Sequence, residues 1–89
     1  MKAIISVVGK DTVGILAAVS AKCADYNVNI NDVNQTIIDE YFTMYMIVNI
    51  DNITIPFTSF IDEIQNVGKE KNLKIQCMHE DIFNSMHKI

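Results

Sequence analysis

Lys2-Ala3-Ile4-Ile5-Ser6-Val7-Val8-Gly9-Lys10-Asp11-Thr12-Val13-Gly14-Ile15-Leu16 contains the change of period on which the reading of the fold turns. Up to Val8 the residues are short, apolar and mostly β-branched, the signature of a buried strand that ends at Gly9. From Ile15 onward the apolar positions recur at helical spacing: Leu16, Val19, Cys23 and Tyr26 fall at i, i+3, i+7 and i+10, with Ile15 alongside. The spacing predicts a helix of about 14 residues, with Asp11 as its N-cap because a carboxylate there can accept from the free N–H groups of the first turn. Asn27 suits the left-handed residue that closes such a helix.

Working outward, residues 28–39 are extended but irregular. Val28 and Ile30 share a face, Val33 breaks the alternation, and a bulge is expected near Asn31-Asp32. Asp39-Glu40 reads as a tight turn. Beyond it Phe42, Met44, Met46, Val48 and Ile50 alternate with Tyr41, Thr43, Tyr45, Ile47 and Asn49, so the two runs form an antiparallel hairpin with the Phe-Met-Met-Val-Ile face toward the core. Pro56 opens a second helix, where its missing N–H is harmless, and Phe57, Ile61, Ile64 and Val67-Gly68 make the stripe. Leu73, Ile75 and Cys77 line one face of a last strand. Ile82, Met86 and Ile89 then recur at i, i+4 and i+7, as in a short amphipathic helix.

The order β-α-β-β-α-β, with right-handed crossovers and a central hairpin, leads to an α+β ferredoxin-like sandwich: a four-stranded antiparallel sheet with both helices on one face, plus a short C-terminal helical tail. The division is a domain over residues 1–79 and a tail over 80–89. The second sheet face has no covering layer, and Ile4, Ile37, Tyr41, Tyr45 and Ile47 are expected on it. Either a dimer or the tail's Ile82, Phe83 and Met86 would cover such a patch, and the two could coexist.

Composition narrows the function by exclusion. The chain has 89 residues, 49% of them hydrophobic and 20% charged, which suits one globular domain. No apolar run reaches the roughly 18 residues of a membrane span. Met1-Lys2-Ala3-Ile4 runs into Lys10-Asp11 before a signal-peptide hydrophobic region forms, so a cytoplasmic chain is expected, with Cys23 and Cys77 as buried free thiols. The net charge of −4 works against binding nucleic acid or an anionic membrane. All seven basic residues are Lys; without Arg, any anion must be held by backbone N–H groups, Lys or neutral polar groups.

The residues offer little for catalysis. No Ser-His-Asp set can be placed on so small a scaffold, and a non-enzymatic role is expected. Cys77 and His79 could make half a metal site, but Cys23 and His87 complete no standard spacing, so neither metal nor cofactor is expected. Gly9-Lys10-Asp11-Thr12-Val13-Gly14 is more informative, because it joins a strand to a helix N-terminus, where free N–H groups favour a carboxylate or phosphate. It has neither the Walker A nor the GxGxxG pattern. Gly14 could admit a ligand, or could simply permit close helix packing.

Together with Asn27-Val28-Asn29-Ile30-Asn31-Asp32, that loop resembles the ACT domain, a ferredoxin-like βαββαβ module, over residues 1 to about 79. The chain is also similar to small stand-alone ACT-domain proteins and to the ACT modules of the glycine cleavage system transcriptional repressor. The resemblance implies a regulatory module that binds an amino acid or related small effector as a homodimer. The implied site has Gly9, Lys10, Asp11, Thr12, Val13 and Gly14 of one subunit facing Asn29, Ile30 and Asn31 of its neighbour. Backbone N–H groups at 12–14 would hold a carboxylate, and Asp11, Asn29 or Asn31 would meet an ammonium group. If Asp11 caps the helix, less of it remains for a ligand. ACT domains are usually fused to an enzyme or DNA-binding unit, which 89 residues do not accommodate, so regulation would act on a separate partner enzyme or regulator. The alternative is a constitutive dimeric interaction module without a physiological ligand.

Overall fold

The computed structural model describes residues 1–10 and 13–86. Its elements run β1 (Lys2–Gly9), α1 (Ile15–Asp25), β2 (Asn29–Ile38), β3 (Tyr41–Asn49), α2 (Phe57–Lys71), β4 (Lys74–His79) and α3 (Glu80–Met86). The strands form one sheet in the order β2-β3-β1-β4, and every neighbouring pair is antiparallel. This is the expected βαββαβ sandwich with a helical tail.

The core follows from strand alternation. Ala3, Ile5 and Val7 of β1, Met44, Met46 and Val48 of β3, and Ile75 and Cys77 of β4 all point into the helix layer and are buried. The predicted bulge lies between Ile30 and Asp32, where the β2–β3 register shifts by one residue. That shift sets Val33 opposite the core residue Met46. It also corrects the position of Ile37. Opposed residues of antiparallel strands share a face, so Ile37, opposite buried Phe42, lies on the helix side of the sheet. Ile38, opposite Tyr41, takes the open face instead. Ile37 is nonetheless 74% exposed.

The helices differ from expectation in phase and length. α1 has 11 residues and begins at Ile15, because Gly14 adopts φ 75° and the chain cannot continue helically back through it. The cap position is therefore Gly14 rather than Asp11, and among the described residues no side chain makes a cap hydrogen bond. Ile15, Val19 and Cys23 form the buried stripe, while Leu16 is on the margin at 37% exposure. In α2 the stripe is Phe60, Ile64, Val67 and Gly68, flanked by half-buried Phe57 and Ile61. Phe60 was not expected in the core, yet it is fully buried and packs edge-on against Tyr26 at 6.3 Å.

Both helices end alike. Asn27 (φ 59°) and Asn72 (φ 56°) turn left-handed, and the next residue donates back to a carbonyl of the last turn: Val28 N–H to Cys23 O and Leu73 N–H to Gly68 O, each at 2.8 Å. Gly68 allows β4 to lie against α2, since a methyl group there would sit 2.8 Å from the Leu73 carbonyl oxygen. Lys22 and Glu63 join the helices at 3.2 Å. That hydrogen bond and the glutamate's charge raise the Lys22 pKa.

Candidate functional site

β1 ends and β4 begins at one end of the sheet, the loop end. Gly9 closes β1 there, and Lys10 follows with its Nζ 3.4 Å from Glu40 Oε1 and 5.4 Å from the centre of the Tyr41 ring. Asp11 and Thr12 lie outside the described residues. Val13 is 82% exposed, and the Gly14 carbonyl accepts the first helical hydrogen bond, from Ala18 N–H at 2.9 Å. The first-turn N–H groups of α1 that precede Ala18 have no carbonyl of the helix to donate to, the ordinary state of a helix start.

The two readings of Gly14 are now distinguishable. Among the described residues a methyl group there would touch only Lys71 Nζ, at 3.9 Å, so glycine is not needed for close helix packing. Its left-handed φ is what favours glycine. Gly9 is the packed one: a methyl group there would fall 1.9 Å from Leu73 Cδ2.

The structure adds residues that sequence reasoning missed. Gly9, Lys10, Lys71 and Asn72 line an open cleft of about 500 Å³. Lys71 reads in the sequence only as charge closing a helix. It reaches the loop because β4 starts beside the end of β1, opposite Val8, and so brings the C-terminus of α2 there. With no Arg in the chain, Lys10 and Lys71 are the cations that line this cleft.

Asn29, Ile30 and Asn31 are elsewhere. Asn29 is level with Asn49 and Lys2, whereas Gly9 is level with Phe42 and Ile37. Seven residues of strand separate the rows, roughly 23 Å at about 3.3 Å per residue. Within one chain the two halves of the predicted site are at opposite ends of the sheet. Asn29 Nδ2 donates to Asn31 Oδ1 at 3.2 Å, and Ile30 packs on the core margin. Asn27, Asn29, Asn49, Asp51 and Asn52 line a polar cleft of about 380 Å³. There the N-terminal ammonium group binds the Asp51 carboxylate and, with an Asn49 contact, holds its pKa below the usual value.

On the open sheet face, Ile4, Asn34, Thr36, Tyr45, Ile47 and Phe83 line a groove of about 410 Å³. Of the three tail residues expected to cover this face, Phe83 does so, packing edge-on to Tyr45 at 6.4 Å. Ile82 and Met86 do not; they are 55% and 65% exposed. Ile89 and His87 lie outside the described residues. Both cysteines are buried free thiols, and burial raises their pKa, to about 11 for Cys23 and about 12 for Cys77. Among the described residues no cluster of three His, Cys, Asp or Glu is placed to hold a metal, and no helix is long and apolar enough to cross a membrane.

The fold and the glycine-punctuated connection between β1 and α1 define a small βαββαβ module, and comparison with known proteins is consistent with that class. Residues 2–78 match the ACT domain, and the chain belongs to the ACT domain family. It is 49% identical over 89 residues to a UPF0237 protein of Listeria innocua, covering 100% of both chains. A UPF0237 protein of Methanocaldococcus jannaschii is 40% identical over 88 residues, covering 99% of this chain and 98% of the other. Among solved structures, an ACT domain protein from Streptococcus pneumoniae superposes with a TM-score of 0.81 at 46% identity, covering 98% of each chain. A putative glycine cleavage system transcriptional repressor shares the fold, with a TM-score of 0.70 at 21% identity over 89% of this chain and 47% of that one.

Proposed function

We propose that this chain is a cytoplasmic regulatory module that binds an amino acid or related metabolite, acts as a homodimer on a separate partner protein, and catalyses nothing itself. Its working unit is residues 1–79, with 80–89 as an accessory tail. The observation that carries the reading is the distance between the two halves of the site. Gly9 and Asn29 are roughly 23 Å apart along the sheet, so a site using both halves takes one from each of two copies. A ligand carboxylate lies near the Gly14 backbone with Lys10 and Lys71 beside it; the ammonium group meets the Asn29 and Asn31 amides of the second copy. Membership of the ACT domain family supports the reading.

A thermal-shift screen of the full chain against the twenty amino acids tests it. A ligand at 100 times its Kd adds about 2.7 kcal/mol, and each kcal/mol raises Tm by about 4–8 °C for a domain of this size. We expect at least one amino acid to do this, and Gly14→Leu to abolish the shift. No shift at millimolar concentrations would favour the second reading, a constitutive interaction module, for which the uncovered sheet face is the supporting observation.

A further inference from the structure

We infer that the effector carries a second anionic group, a side-chain carboxylate or phosphate, and that Lys71 is the residue that selects it. The inference rests on the amino-acid reading of the preceding section and narrows its ligand to the acidic class.

The first support is the sign of the cleft at the loop end. The chain has 11 acidic residues against seven lysines. Yet among the described residues Gly9, Lys10, Lys71 and Asn72 line this cleft, two cations with no carboxylate. The cleft at the Asn29 end has amides and Asp51 instead, and the groove on the open sheet face has no charged side chain. Lys10 is already offset, since Glu40 Oε1 lies 3.4 Å from its Nζ. Lys71 is not. The ion pairs of the described residues are Met1–Asp51, Lys10–Glu40, Lys22–Glu63 and His79–Asp81, and none includes it.

The second support is where the Lys71 ammonium sits. Its Nζ is 3.9 Å from the point a Gly14 methyl group would take, beside the start of α1. A helix carries partial positive charge at that end, and cations are favoured at the opposite one. The first turn of α1 contains no acidic residue to offset it. Two positive features are therefore neighbours, an arrangement that an anion between them relieves. Lys71 is half-buried, so water and salt screen its charge less than that of an exposed lysine.

The third support is a match of groups. In the proposed pose the α-carboxylate lies at the Gly14 backbone and the ammonium group at the Asn29 and Asn31 amides of the second copy. A neutral amino acid ends there and leaves Lys71 without a counter-charge. An anionic side chain extends into the cleft, whose roughly 500 Å³ accommodates it, and meets the Lys71 ammonium and the Asn72 amide. The lysine contact is a charge-assisted hydrogen bond, about twice as strong as a neutral one.

Isothermal titration calorimetry of the full chain with L-glutamate, L-aspartate, O-phospho-L-serine, L-glutamine and L-asparagine tests this. Each amide matches its acid in shape and lacks only the charge. We expect at least one acid to bind 10-fold or more tighter than its uncharged counterpart, and the better of carboxylate and phosphate identifies the group the cleft takes. Lys71→Gln should erase that preference with unchanged far-ultraviolet circular dichroism, and Lys71→Arg should keep it. Amides that bind the parent chain as tightly as the acids, a result that needs no variant, overturn the inference and leave sensing intact. So does a preference that survives Lys71→Gln. No binding by these ligands while a neutral amino acid shifts Tm in the screen also overturns it alone, whereas no response to any amino acid refutes sensing and this inference together.

Discussion

The two faces of the sheet have different chemistry although the same strands build both. On the helix side Ala3, Ile5, Val7, Met44, Met46 and Val48 are fully buried. On the other, Tyr41, Tyr45 and Val8 keep more than two-fifths of their surface exposed, and the layer above is a seven-residue helix attached through Phe83. Strand alternation puts a mostly apolar set on the helix side and a mixed set on the other, where Asn34, Thr36, Lys74 and Gln76 stand among the apolar residues; the chain supplies a full partner layer only to the first. The helix side is closed by 26 residues of helix, the 11 of α1 and the 15 of α2. Stability is therefore concentrated on one face, and the other is available for recognition.

The largest effect should come from setting one face against the other. Phe60→Ala removes a fully buried ring and should cost about 3–5 kcal/mol, whereas Tyr45→Ala on the open face should cost about 1 kcal/mol in the monomer. Urea denaturation of both at low protein concentration checks the pair. Equal losses would mean that the open face carries as much of the fold as the core does.

A smaller effect comes from alkali. The unfolded thiols ionise near the ordinary value of 9.0, the folded ones only at about 11 and about 12, because burial disfavours the thiolate. The unfolded state thus loses protons first, and stability is unaffected below pH 9 and falls as pH rises from 9 through 12. Raised Lys22 adds to the loss above its ordinary 10.5. Denaturation midpoints measured from pH 8 to 11 should decline, and Cys23→Ala/Cys77→Ala should decline less steeply between 9 and 10.5. An unchanged slope would show that the thiols are not shielded by the helix side.

The smallest effect belongs to Asp51, at the sheet end remote from the loop and part of neither face. Its carboxylate pKa is lowered first by the N-terminal ammonium group, so its contribution is present above the usual carboxylate range and lost as pH falls through and below it. Asp51→Asn should lower stability slightly near neutrality and flatten the stability profile below pH 4, read by thermal melts. A drop at neutral pH comparable to Phe60→Ala would mean that this corner holds the fold together.

Legibility in the sequence followed the length scale of the signal. The strands were readable because alternation is local, and the bulge was readable because Val33 broke that alternation. Ile37 was misplaced because one extra residue at Asn31 inverts every later side chain, and only pairing with Phe42 shows where the phase restarts. Leu16 and Phe60 were misjudged because a helix face is defined by what packs on it, and several phases fit a short apolar helix. The candidate site was legible as a loop and a strand start. Lys71, 57 residues from Gly14, was not, since only the α2–β4 connection brings it to the loop end.

The sequence by itself determined the βαββαβ order, the left-handed Asn27 that closes the first helix, and an anion chemistry restricted to backbone, lysine and neutral polar groups by the lack of Arg. These depend on neighbours along the chain or on composition. Tertiary structure alone decided that Lys71 reaches Gly14, that the two halves of the predicted site are a sheet length apart, and that the tail covers its sheet through one phenylalanine. Each of those depends on contacts between residues far apart in sequence, which periodicity does not encode.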